Sequence, residues 1–462
     1  MSKDKIKKQN EQKEGKENFQ NGSFNLTKIG KKAVTASFTG SKISSNGGLL
    51  LIREVDEQIG LTGKIAECIE DQRHSSYVKH SVQNMLSQRI FQIMAGYEDS
   101  NDCNYLKDDP VMKICAEKLP TQDDSLASQP TMSRFENSLS KKELYNIAIA
   151  YLDVFINSFD KEPEIIILDS DDTNTNTYGG QQLTLFNEYY HEYCYLPLHI
   201  YEGISGKLIT TILKPGKRSK SIDVFAIMKR IISYLRQFWK KTRIVVRGDS
   251  HFCSKELMDW IGQQKKVNFL TGLSGNNILK TMCATTIKSA EDKYTETQKP
   301  VKQYHSFYYK ADTWEQKQRV IAKVTVNSMG TNVRYIVTDL HEFRTKGLYE
   351  KGYCARGNME LRIKDHKRYL KSDRMSCNSF WANQMRLFMH SAAYILMHTF
   401  QKEVLKHTEY YNATMETIKL RIIKIATRIT EQKTKIKVEF PIDFPEKNLF
   451  EKSIGIFEVL RC

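Results

Sequence analysis

Between residues 40 and 160 the apolar positions recur at helical spacing. Leu49 to Ile52 with Val55, Ile59 and Leu61 make one such face, and Leu86, Ile90, Phe91 and Met94 make another within Val82 to Met94. In the segment Ser128 to Phe135, Pro130 stands where a first helical turn tolerates proline. Thr131, Ser133 and Arg134 then either face a DNA groove, as in a helix-turn-helix, or decorate the surface of a helical support.

From Glu164 the period changes. Glu164 to Asp171 is a β-rich run ending in carboxylates, and Tyr193–Tyr201 and Lys207–Leu213 predict two further strands with Gly203 and Gly206 at the turn between them. An amphipathic helix follows over 221–239, carrying Val224, Ile227, Ile231, Ile232 and Leu235. Arg243 to Asp249 reads as a short buried strand, again ending in a carboxylate, before a helix near 255–264 and a strand near 269–273. Three strands, helix, strand, helix, strand is the ribonuclease H-like order, in which the first and fourth strands lie side by side. Strand-like runs return at 304–309, 319–326 and 333–337, and helices at about 353–372, 378–403 and 413–430.

These patterns divide the chain into a disordered polar arm (1–23), a mostly helical region (24–160) whose expected role is DNA binding if its groove-facing reading holds, the first part of an α/β core (161–274), a β-rich insertion (275–345), the rest of the core (346–403) and a C-terminal helical region (404–462). No run of 18 apolar residues lacks a charge, so no spanning helix is predicted, and the polar first twenty residues are not a signal peptide. Nine scattered cysteines without metal-ligand spacing fit a reduced, cytoplasmic chain.

Charge narrows the partner. Seventy Lys and Arg against 54 Asp and Glu leave +16, which favours a polyanion such as nucleic acid as readily as it fits a basic enzyme. Asp169 and Asp171, two apart on a strand, share a face, and Asp249 ends a strand of the same predicted sheet. Three carboxylates converging there repel unless a cation is present, and Mg²⁺ in a phosphoryl-transfer site is the natural one. His191 and His251 lie near these strands without a partner at metal-ligand spacing.

Tyr353, Arg356, Glu360 and Lys367 fall at offsets of 3, 7 and 14, which puts all four on one side of a helix at 100° per residue. This pattern resembles the YREK signature of DDE insertion-sequence transposases. With Gly47 to Glu54, Gly96 to Asp102, Leu126 to Asn137, Cys194 to Leu198 and Arg247 to Ser250, the chain is similar to the insertion sequence 1380 family over about residues 40–430.

The resemblance implies a ribonuclease H-like core interrupted by a β-rich insertion, with Asp171, Asp249 and Glu360 as the catalytic, metal-holding triad. The family's Asp-x-Thr pattern falls on Asp171 to Thr173, with Asp169 as the alternative first ligand. It also implies two Mg²⁺ ions (Mn²⁺ as substitute), phosphate contacts from Tyr353, Arg356 and Lys367, and a homodimer on paired ends of a bacterial mobile element, bound to its nucleoid. Trp314 either stacks on an unpaired base or packs in the core, and Asn383 and Arg386 read as packing or phosphate residues. The activity implied is DNA cleavage and joining; the rival reading is a non-catalytic DNA-binding regulator.

Overall fold

A computed structural model describes residues 19–20, 23–217 and 222–460. The polar arm expected over 1–23 lies almost wholly outside them. Eight strands build one mixed sheet: β1 (Ile165–Asp172), β2 (Leu198–Glu202), β3 (Leu208–Ile212), β4 (Arg243–Gly248), β5 (Val267–Leu273), β6 (Val301–Tyr309), β7 (Gln318–Asn327) and β8 (Gly330–Thr338). Their order is β3-β2-β1-β4-β5-β8-β7-β6. β1, β4 and β5 run parallel, in register from Ile165 opposite Arg243 to Asp169 opposite Arg247, and the remaining pairs are antiparallel. The first and fourth strands are thus neighbours.

The alternation along these strands sorts their side chains between two layers. Ile166, Leu168, Leu198, Ile200, Ile244 and Val246 form one core with the amphipathic helices α5 (Ile222–Phe238) and α6 (Lys255–Gly262). The intervening residues, Asp169, Asp171, Val245 and Arg247 among them, face the opposite side.

The strands at 301–338 do not form a separate subdomain. β8 pairs with β5, so the insertion extends the sheet that carries the carboxylates. Its apolar alternation is that of any half-buried strand, and the sequence gives no sign of which edge will receive it.

On the Asp171 side the sheet meets a helical body built around α8 (Phe380–Thr399), whose apolar residues run all round it and which is buried over nearly its whole length. Packed with it are α1 (Leu49–Ile59), α2 (Val82–Met94), α3 (Gln129–Ser138) and α4 (Lys141–Asn157). Capping boxes at Ser81 with Asn84 and at Ser140 with Glu143 start α2 and α4. Leu405, Ile418, Ile422 and Phe450 join the same core, so the N-terminal and C-terminal regions share it.

Two stretches expected to be helical contain strands. Ser23–Ile29 and Lys32–Ser37 form a hairpin. Near the other end, the helix expected over 413–430 gives way after Ile423 to strands Thr427–Glu431 and Ile436–Glu439. There the β-branched alternation of Ile425, Thr427 and Ile429 prevails, and Thr427 pairs with Ser44 from the N-terminal region. Among the described residues no helix is long and apolar enough to cross a membrane.

Candidate active site

Asp171 lies at the end of β1 and Asp249 just beyond the end of β4. Because Asp169 is opposite Arg247, two further residues along each parallel strand bring the two carboxylates to the same sheet edge. Burial pushes the Asp171 carboxyl up to about 7; the neighbouring Arg356 opposes this, while the charges of Asp249 and Asp172 add to it. Asp249 accepts the backbone N–H of His251 at 2.8 Å, which fixes its carboxylate at the turn after the strand.

The segment carrying the four-residue pattern is helical but unevenly wound. Leu348–Tyr353 and Asp365–Tyr369 are wide turns, Cys354–Arg356 is a tight one, and only Gly357–Lys364, α7, is regular. Tyr353, Arg356 and Lys367 nevertheless all reach the sheet edge. Arg356 Nη2 stands 2.8 Å from Asp171 Oδ2. Tyr353 is half-buried beside Asp249, whose charge adds to the burial that raises its hydroxyl. Gly272 makes room for it, since a Cβ there would meet the Tyr353 hydroxyl and the Ser250 nitrogen at 2.8 Å each. Lys367 Nζ donates to the Asn174 carbonyl at 2.5 Å and to its Oδ1 at 3.2 Å, just past the end of β1.

Glu360 is not drawn in. Its side chain is exposed, and the charges acting most strongly on Asp171 come from Arg356, Asp249 and Asp172. Among the described residues no three His, Cys, Asp or Glu side chains stand together in a group that could hold a metal ion. Asp171 and Asp249 are hard oxygen donors whose mutual repulsion a divalent cation would relieve, so in chemistry these two fit one. Glu360 lies on the same helical segment as Arg356 and Lys367, one turn beyond the first.

Asp169, the alternative first ligand, is engaged elsewhere. It is fully buried, and Arg247 holds both its oxygens, Nε to Oδ1 at 2.5 Å and Nη2 to Oδ2 at 2.6 Å. Trp314 is buried and packs edge-on against Tyr309, which is the core alternative and not a presented stacking face. His191 is exposed and adopts a left-handed conformation, φ 53°. Arg386 packs inward against Glu136, and Asn383 bonds the backbone of Cys377. Of Thr131, Ser133 and Arg134 on α3, for which a groove and a support surface are the alternatives, Arg134 is exposed and donates to Thr131 Oγ1 at 3.3 Å.

Sequence reasoning missed four site neighbours. Lys214 pairs with Asp172 at 2.7 Å, and Arg362 donates to the Glu202 and Gly203 carbonyls. His199, opposite Asp171 on β2, and His366, beside Lys367, are fully buried with ring centroids 4.9 Å apart. A histidine inside an otherwise apolar strand was the available signal for the former.

The family model described as "Transposase DDE domain group 1" matches residues 26–462. No curated protein matches the chain. The cryo-EM structure of the piggyBac transposase synaptic complex with hairpin DNA aligns over 83% of this chain and 83% of that one, with 10% identity and a TM-score of 0.43.

Proposed function

Because the chain belongs to the transposase DDE domain group 1 family, we propose that it binds the terminal inverted repeats of its own insertion sequence, cleaves the ends and joins them to target DNA. The observation that carries the reading is the meeting of Asp171 and Asp249 at one sheet edge, with Tyr353 and Arg356 set against them. The strand order, with the first and fourth strands adjacent and parallel, supports a ribonuclease H-like core.

In this reading Asp171, Asp249 and Glu360 would hold two Mg²⁺ ions, with Mn²⁺ as a substitute; Glu360 is the exposed member of the three. Bound there, such ions supply charge stabilisation for phosphoryl transfer and lower the pKa of the attacking water or 3′-hydroxyl. Arg356 Nη2 keeps Asp171 in place, and the same guanidinium carries further donors for a DNA phosphate. Lys367 holds Thr173 and Asn174, and so orients the exit of β1 beside the reacting strand. Cutting both ends of an element together calls for two copies of the chain, hence a homodimer on paired ends.

Two experiments test this. Purified protein with DNA carrying the sequences that flank its gene is expected to nick at the element's ends only with Mg²⁺ or Mn²⁺; full cleavage in excess EDTA overturns the metal mechanism. In a salt titration of end binding, Arg356→Ala is expected to lower the slope of log affinity against log salt by about 1. An unchanged slope removes Arg356 from the DNA contacts and leaves it a partner of Asp171 alone.

A further inference from the structure

We infer that Arg247 is a positioning residue of this site, seating the segment that carries Tyr353 and Arg356 over the two aspartates. The inference rests on the reading of Asp171 and Asp249 as the reacting pair. Arg247, 1% exposed on β4, reaches two further elements at once. Through Nε and Nη2 it grips Asp169 on β1, two residues before Asp171. Its own strand, β4, reaches Asp249 two residues later. Through Nη1 it donates to the carbonyl of Gly352, the residue before Tyr353 and four before Arg356.

Stability alone does not account for this arrangement. A buried ion pair is often no more stabilising than apolar residues of the same volume, and in-register backbone bonding already holds β1 to β4. A planar guanidinium adds direction: two donors fix it on the carboxylate and a third aims at Gly352. The space is tailored to it, since a Cβ at Gly203 would stand 2.8 Å from Nη2 and 2.9 Å from Asp169 Oδ2. The link from Arg247 to Gly352 therefore ties the segment to the very strands whose aspartates Arg356 and Tyr353 must meet.

The test pairs an apolar replacement with a conservative one. The double variant Asp169→Leu with Arg247→Met removes both charges at similar volume, and Arg247→Lys keeps a charge beside Asp169 but not the fork that also reaches Gly352. Amide hydrogen exchange over 348–356 is expected to quicken at least tenfold in the double variant and less in Arg247→Lys, with β1 and β4 retaining their protection. End cleavage under single turnover is expected to fall about 100-fold in the double variant. Unchanged exchange over 348–356 in either folded variant overturns the inference, as does equal loss of protection across β1, β4 and the segment, which marks a purely structural pair. If the wild-type chain shows no metal-dependent cleavage, the reading of the site fails, while the exchange data still decide whether Arg247 seats the segment.

Discussion

Asp171→Asn is expected to abolish end cleavage and, at pH 8, to make the protein more stable than wild type. On the proposed reading of the site, the loss of activity follows from the removal of a charged ligand worth several kcal/mol of transition-state stabilisation, about 1,000-fold or more in rate. The gain in stability follows from burial. The folded-state pKa of Asp171 is pushed up to about 7 from an ordinary 3.8, so the folded protein holds a proton that the unfolded chain releases. The associated stability is present below pH 4 and is lost as pH rises through 7. Asn mimics the protonated carboxyl at every pH and keeps that stability, on the order of 2–4 kcal/mol above pH 7, with the opposing pull of Arg356 already included. Thermal unfolding at pH 4 and pH 8 in EDTA checks this: the variant and wild type should nearly coincide at pH 4 and separate at pH 8. A variant less stable than wild type at pH 8, or one still cutting, removes Asp171 from the role given to it.

Glu136→Ala is expected to cost about 3–5 kcal/mol of stability, the largest effect outside the site. Glu136 is fully buried on α3 and lies between two guanidinium groups, Arg386 Nε on α8 at 2.8 Å and Arg89 Nε on α2 at 3.6 Å. Ser100 donates to it at 3.3 Å. Truncation leaves two buried cations facing each other with no counter-charge. Glu136→Gln keeps the shape and is expected to lose less. Urea unfolding followed by far-UV circular dichroism measures both, and a cost below about 1 kcal/mol for Glu136→Ala shows that the triad is not what joins these three helices.

Legibility in the sequence follows the range of the interactions. The alternation in β1 and the amphipathic α5 are local patterns, and each leads to the element that the structure shows. The Arg356 contact differs in kind, because sequence offers a cation for phosphate and the fold first presents it to Asp171. Asp169 was ambiguous for the same reason. Two aspartates on one strand face are indistinguishable until Arg247, 78 residues away, claims one of them. The docking of β8 on β5 and the pairing of Thr427 with Ser44 likewise depend on partners that no local window contains. Uneven winding through 348–369 likewise escapes a uniform 100° wheel.

The shared core around α8 bears on how the protein is made. During translation the apolar faces of α1, α2 and α4 leave the ribosome well before Phe380–Thr399, the helix they pack against, has been synthesised. At roughly 5–20 residues per second, the more than 200 residues between α4 and α8 take on the order of 10–50 seconds. Throughout that interval the faces of these helices that pack on α8 lack that partner. The same delay keeps Arg356 and Lys367 away from the aspartates until most of the message has been read, so the chain acquires its complete site only late in its own synthesis.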